Sequence, residues 1–129
     1  MTAIITREIS FEAAHRLPNV AKDHKCSRMH GHSYRCEIQV AGAIGDKSGW
    51  VIDYADIDVA FAPLFAQLDH HTLNDIPGLE NPTSECLAKW VWQRLDKTLA
   101  GLFAIVIHET CSARSWYSER DMAALSLLG

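Results

Sequence analysis

No stretch of the chain is rich in lysine or arginine, and 12 basic residues against 16 acidic ones leave a formal net charge of -4 over 129 residues. A surface for binding a phosphate backbone needs a basic surplus, so nucleic acid is not expected as a direct partner. Long apolar runs are missing too. The opening segment, Met1-Thr-Ala-Ile-Ile-Thr-Arg-Glu-Ile-Ser10, places charges where an export signal needs unbroken hydrophobicity, and no later segment approaches the length of a membrane span. The expectation is a cytoplasmic protein with no membrane partner. Cys26, Cys36, Cys86 and Cys111 lack CxxC spacing, and without an export signal they read as reduced thiols. With no internal repeat, low-complexity tract or Gly/Ser linker, residues 1–129 read as a single domain with a core of about 5–118 and a tail of 119–129.

What is present is periodicity. Ile5, Ile9, Phe11 and Ala13 alternate with Thr6, Glu8, Ser10 and Glu12, the period of a half-buried strand ending near His15. A second strand sets Tyr34, Cys36, Ile38 and Val40 against Arg35, Glu37 and Gln39, and His30 and His32 share its apolar parity. Behind Asp53 as N-cap, Ile57, Phe61, Leu64, Phe65 and Leu68 fall at helical spacing, with Pro63 expected to kink or divide the helix. Asn81-Pro82 reads as N-cap and first turn of a second helix with Leu87, Trp90, Val91, Leu95 and Leu99 on one face, stopped by Gly101. Phe103–Glu109 then reads as a buried strand, Ser115–Ser118 as its short partner, and the tail as a terminal helical turn. The order predicts an α+β domain: a four-stranded, mostly antiparallel sheet with two helices on one face. Two open sheet edges and a mixed polar second face point to a homo-oligomer.

The chemistry concentrates in Cys26-Ser-Arg-Met-His30-Gly-His32 and in His15 upstream. Residues two apart on a strand point the same way, so His30 and His32 can face one ion, and His15 ends the neighbouring strand with matching parity. Three neutral imidazoles with one vacant position describe a catalytic zinc site; a structural site completed by Cys26 is the alternative. Cys26, beside Lys25 and Arg28, suits a base or nucleophile near the metal, whereas Cys36 and Cys86 read as small buried hydrophobes. Asp69-His70 after the first helix suits a proton relay, or merely a solvated helix end. Glu109 shares parity with Ile105 and Ile107 and points to the buried side, where a carboxylate could grip the paired N–H donors of a pterin or guanine ring or else form an ion pair with an arginine.

Taken together, Phe11-Glu-Ala-Ala-His-Arg-Leu-Pro18, Cys26-x-x-x-His-Gly-His32, Leu68-Asp-His-His71, Leu73-Asn-Asp75, Asn81-Pro-Thr-Ser-Glu85 and His108-Glu-Thr-Cys111 resemble the 6-pyruvoyl-tetrahydropterin synthase family, from about Ile5 to Cys111. The resemblance implies a tunnelling fold whose sheets close into a trimeric barrel, two trimers forming a hexamer with active sites between subunits. It implies Zn2+ on His15, His30 and His32, Cys26 as proton acceptor, Asp69 and His70 as charge relay, and Glu109, with Thr83, on the pterin. The implied substrate is 7,8-dihydroneopterin triphosphate. The short Cys26-to-His30 spacing resembles the bacterial branch of queuosine biosynthesis, which yields 6-carboxy-5,6,7,8-tetrahydropterin, acetaldehyde and triphosphate. A pyruvoyl-forming lyase and a non-catalytic oligomeric zinc-binding module are the alternatives.

Overall fold

The computed structural model describes residues 1–120; the expected terminal helical turn falls largely outside them. Strand β1 (Thr2–His15) pairs antiparallel with β2 (His30–Ala43) along its full length, from Thr2 opposite Ala43 to His15 opposite His30. Helix α1 (Tyr54–Leu68), a two-residue strand β3 (His71–Thr72) and helix α2 (Ser84–Leu95) follow, then β4 (Leu102–His108) and β5 (Arg114–Tyr117). The sheet order is β3-β1-β2-β4-β5.

The helices cover one face of this sheet. Phe11 and Ala13 of β1, Tyr34, Cys36, Ile38 and Val40 of β2, and Ile105 and Ile107 of β4 pack with Ile57, Phe61, Leu64 and Leu68 of α1 and Leu87, Trp90, Val91 and Leu95 of α2 in one core. Each large side chain so buried is worth about 1.5–3 kcal/mol, which pins the strand register, because a one-residue slip would turn the apolar set outward. The opposite face is mixed, with Ile4, Val106 and Trp116 among polar side chains. There Arg35 pairs with Glu8 at 2.8 Å and donates to His108 Nδ1 at 3.3 Å, while His108 Nε2 donates to Glu37.

Four details differ from the sequence reading. The sheet has five strands rather than four, since His71 and Thr72 lie parallel to Ala13 and Ala14; two residues carry no periodicity, and the pairing depends on the His70 N–H donating to the Glu12 carbonyl as the chain leaves α1. Pro63 lies inside α1 without dividing it. Its ring is exposed, as is Val59, whose carbonyl loses its helical donor, so water can satisfy that group at little cost. Helix α2 begins two residues later than expected, with Thr83 as the cap accepting from the Cys86 N–H at 3.1 Å; this leaves the Pro82 carbonyl outside the helix for another use. Cys86 is exposed rather than buried, because the inward face of α2 is taken by Leu87, Ala88, Trp90 and Val91.

Gly101 turns the chain into β4 at φ +83°, and a Cβ there would lie 2.4 Å from the Ala41 carbonyl oxygen, whereas Gly49, at φ +75°, faces open space. Gly101→Ala is therefore expected to lower the urea unfolding free energy by about 2–4 kcal/mol, and Gly49→Ala by only about 1 kcal/mol. Equal losses would contradict this account of the turn.

Candidate metal centre and active site

The β1–β2 register places His15 directly opposite His30, with His32 two residues further along the same face. Their ring centroids form a near-equilateral triangle with sides of 4.6, 4.9 and 5.1 Å, and the rings stand 63° to 89° to one another. One ligating nitrogen from each lies within 4.8 Å of the other two. Backbone carbonyls set the tautomers of two rings: His15 Nδ1 donates to the Pro82 carbonyl at 2.8 Å, and His30 Nδ1 donates to the Arg28 carbonyl at 2.7 Å. The Nε2 lone pairs are thereby turned toward the shared point, the arrangement that orients histidine ligands on metals.

That point asks for a cation. His15 Nε2 and His32 Nε2 are buried with no hydrogen-bond partner, and each such orphan costs about 1–3 kcal/mol. Burial pushes the pKa of His15 down, with His30 and His32 adding to it against the Pro82 carbonyl and Glu109; burial also lowers His32, against Glu109. Neutral imidazoles with aimed, unused lone pairs are the form that binds a divalent metal. The donor set therefore fits a metal ion.

Glu109, just past β4, is half-buried and faces the imidazoles: its Oε1 lies 3.3 Å from His15 Nε2 and 3.4 Å from His32 Nε2. Cys26 sits in a single 3-10 turn, Lys25–Ser27, whose start is capped by His24 Nδ1 accepting from the Cys26 N–H at 3.0 Å. The Leu17 N–H binds the Cys26 carbonyl at 2.7 Å and ties this turn to the end of β1. Lys25, Cys26, His30, His32, Glu109 and Thr110 line one cleft of about 440 Å³, so the thiol, two imidazoles and the carboxylate share a ligand-sized space.

Asp69 and His70 are a formed pair, with His70 Nδ1 donating to Asp69 Oδ2 at 2.8 Å while Asp69 Oδ1 accepts from the Glu12 N–H at 2.9 Å. His70 adopts φ +59°, a left-handed conformation costing a non-glycine residue about 1–3 kcal/mol, which the Glu12 backbone and Asp69 hold in place. The pair does not meet Cys26 within the chain. His70 borders a second cleft, with Glu12, Gly31, Ser33 and His71, and His32 is common to both clefts. Thr83, the α2 cap, lines neither. Sequence reasoning missed the carbonyls of Pro82 and Arg28, which carry no residue-type signal. It also placed Tyr34 only in the core, although Tyr34 stands two residues beyond His32 on the same face. Its ring is edge-on to His15 and His32, with centroids at 5.9 and 5.4 Å.

Comparison with known proteins identifies the family. The model of the 6-pyruvoyl tetrahydropterin synthase family matches residues 4–120. The chain belongs to that family. Within it, the chain is 42% identical over 124 residues to the 6-carboxy-5,6,7,8-tetrahydropterin synthase of Synechocystis sp., covering 91% of this chain and 95% of the relative. It is 36% identical over 101 residues to the dihydroneopterin monophosphate aldolase of Pyrococcus furiosus, covering 78% and 82%. Among solved structures, the 6-pyruvoyl tetrahydropterin synthase of Caenorhabditis elegans superposes with a TM-score of 0.84 at 26% identity, covering 92% of this chain and 96% of that one. The tunnelling fold of the family is thus the fold of this chain, and no helix among the described residues is long and apolar enough to cross a membrane.

Two outcomes follow from the centre. Replacing His30 or His32 by Ala should weaken divalent-metal binding by more than about 100-fold, measured by chelator competition with metal analysis. Retained affinity in both variants would remove the imidazoles from the metal. For the acid–base pair, the Glu12 N–H and then His70 hold the Asp69 carboxyl below its usual 3.8, while Asp69 raises His70 above 6.5. The carboxylate's contribution is complete above 3.8 and lost as pH falls through its lowered pKa; that of the imidazolium is complete below 6.5 and lost as pH rises through its raised one. Asp69→Asn should accordingly lower the His70 titration midpoint in an NMR titration, and an unmoved midpoint would dissolve the pair.

Proposed function

We propose that the chain is a zinc-dependent lyase that converts 7,8-dihydroneopterin triphosphate into 6-carboxy-5,6,7,8-tetrahydropterin, acetaldehyde and triphosphate, in the cytoplasm and on the way to queuosine and related 7-deazapurines. The observation that carries this reading is the convergence of His15, His30 and His32, with unpartnered Nε2 atoms, in the cleft that also holds Cys26 and Glu109. Similarity to the Synechocystis synthase over nearly the whole chain supports the carboxy product.

Zinc suits a set of three neutral imidazoles with an open position, and when bound it supplies Lewis-acid polarisation of side-chain oxygens on the substrate. The remaining work falls to the chain's own groups. Glu109, half-buried at the inner end of the cleft, offers two acceptor oxygens to the adjacent ring N–H and amino group of a pterin, a bidentate match that fixes the ring. The Cys26 thiol, in the same cleft, is placed to take a proton from the substrate side chain. Asp69 orients His70 and stabilises its charged form, which suits His70 to return protons. Because Cys26 and His70 border different clefts in one chain, the reading includes a homohexamer of two stacked trimers, with active sites completed between subunits. Two features support it: the mixed polar and apolar second face of the sheet, and the long outer edge of β1, which β3 covers only at Ala13 and Ala14. Four free cysteines agree with a reducing compartment.

A pyruvoyl-forming activity on the same substrate is the second reading, favoured by the 0.84 superposition on the Caenorhabditis elegans synthase. Product analysis separates the two. Zinc-loaded protein incubated with 7,8-dihydroneopterin triphosphate is expected to release acetaldehyde and a carboxypterin by mass spectrometry. Triphosphate without acetaldehyde would select the pyruvoyl reading, and no turnover would overturn both. Cys26→Ala should keep its zinc and lose at least about 100-fold in kcat.

A further inference from the structure

Three side-chain polar atoms are buried without a hydrogen-bond partner among the described residues, and only two of them are explained by a metal. They are His15 Nε2, His32 Nε2 and the hydroxyl of Tyr34. Tyr34 is fully buried, at 0% exposure, and a buried hydroxyl without a partner is costly enough to need a reason. Its ring cannot swing away to find one, since it stacks on Phe11 at 5.2 Å and 13° on one side and meets His15 and His32 edge-on at the other.

The β2–β4 pairing shows what lies nearest. Arg35 is opposite His108 and Cys36 opposite Ile107, so continuing the antiparallel register by one step sets Tyr34 across from Glu109. Residues opposite one another across an antiparallel pair project to the same face, so the phenol and the carboxylate share one side of the sheet. Glu109 Oε1 lies 3.3 Å from His15 Nε2 and 3.4 Å from His32 Nε2. The Nε2 atoms of the neutral imidazoles offer lone pairs rather than hydrogens, so the buried side-chain donor left for Glu109 among the described residues is the Tyr34 hydroxyl.

We propose that Tyr34 is a positioning residue that acts through Glu109: with metal on the three imidazoles, its O–H donates a hydrogen bond to the Glu109 carboxylate, holding it off the metal and turned toward the pterin ring. The pterin half of this statement rests on the proposed function; the metal half does not. The role explains why a tyrosine rather than a phenylalanine occupies a fully buried position on a strand face otherwise lined by apolar side chains and metal-directed imidazoles.

The test uses full-length protein loaded with Co2+, whose visible absorption reports the ligand set, in wild type, Tyr34→Phe, Glu109→Gln and the double variant. Tyr34→Phe deletes an atom that has no hydrogen-bond partner among the described residues, so folding and a metal content of one ion per chain are expected to persist. Its visible spectrum should shift as the released carboxylate moves onto the metal, and the shift should vanish in the Glu109→Gln background. With zinc-loaded protein and 7,8-dihydroneopterin as the probe, Tyr34→Phe should weaken binding about tenfold. It should raise KM more than it lowers kcat, and the double variant should bind no worse than Glu109→Gln alone. A Tyr34→Phe spectrum superimposable on wild type, or losses that add in the double variant, would overturn the proposal. Spectral coupling between Tyr34→Phe and Glu109→Gln, with wild type that binds no pterin, would overturn the proposed function and leave the positioning role standing.

Discussion

His15 Nδ1 and the Pro82 carbonyl form the hydrogen bond on which the rest of the centre depends. It joins the last residue of β1 to the approach of α2, two elements 67 residues apart in sequence, and it does so inside the core, where His15 has no exposure at all. The bond fixes the tautomer and ring plane of His15, and the β1–β2 ladder then fixes His30 and His32 relative to it. Because Thr83 rather than Asn81 caps α2, the Pro82 carbonyl stays out of the helix and is free to accept. The packing of α2 on the sheet therefore has a chemical consequence: it presents an acceptor at the one place where a buried imidazole needs to be turned.

The same strand anchors both the imidazole cluster and the Asp69–His70 pair. β1 ends in His15, one of the three clustered imidazoles, and three residues earlier the Glu12 backbone accepts from the His70 N–H and donates to Asp69. Two backbone hydrogen bonds from one residue thus hold the left-handed His70 and its carboxylate, and they explain why the short parallel strand β3 exists. The strain is local and is opposed by a rigid ladder, the arrangement expected where a side chain must be aimed rather than merely exposed. Cys26, by contrast, is held by a 3-10 turn and one contact to Leu17, so the thiol rides on a lighter scaffold than the imidazoles it faces.

The two faces of the sheet divide the remaining labour. The helix-covered face supplies the burial that fixes register, and at its end that face becomes the cluster of His15, His30 and His32, so core and candidate site are continuous through Phe11, Tyr34 and His32. The open face carries the Glu8–Arg35–His108–Glu37 network, in which a nearly buried histidine is satisfied at both ring nitrogens. His108 and Glu109 are adjacent yet belong to opposite faces, as strand alternation requires; the first is locked into structure and the second is left with its carboxylate in the cleft.

Much of this was legible in the sequence. Period-two alternation gave β1 and β2 to within a few residues, Asp53 was readable as a cap, and the shared parity of Phe11, Ala13 and His15, with that of His30, His32 and Tyr34, was enough to bring three imidazoles to one side of one sheet. These features are local, and local geometry is what residue spacing encodes. Other features were settled only by tertiary structure. The second strand edge at His71 and Thr72, the two-residue delay of α2, the passage of α1 through an exposed Pro63 and the exposure of Cys86 depend on what packs against each element. The carbonyl partners of His15 and His30 leave no mark on residue type, and the division of Cys26 and His70 between two clefts arises from the path of the chain around the sheet. Residue identity and spacing therefore determined which side chains could act, whereas the orientation of each imidazole nitrogen, and the separation of thiol from relay, was decided by backbone groups brought together from distant parts of the chain.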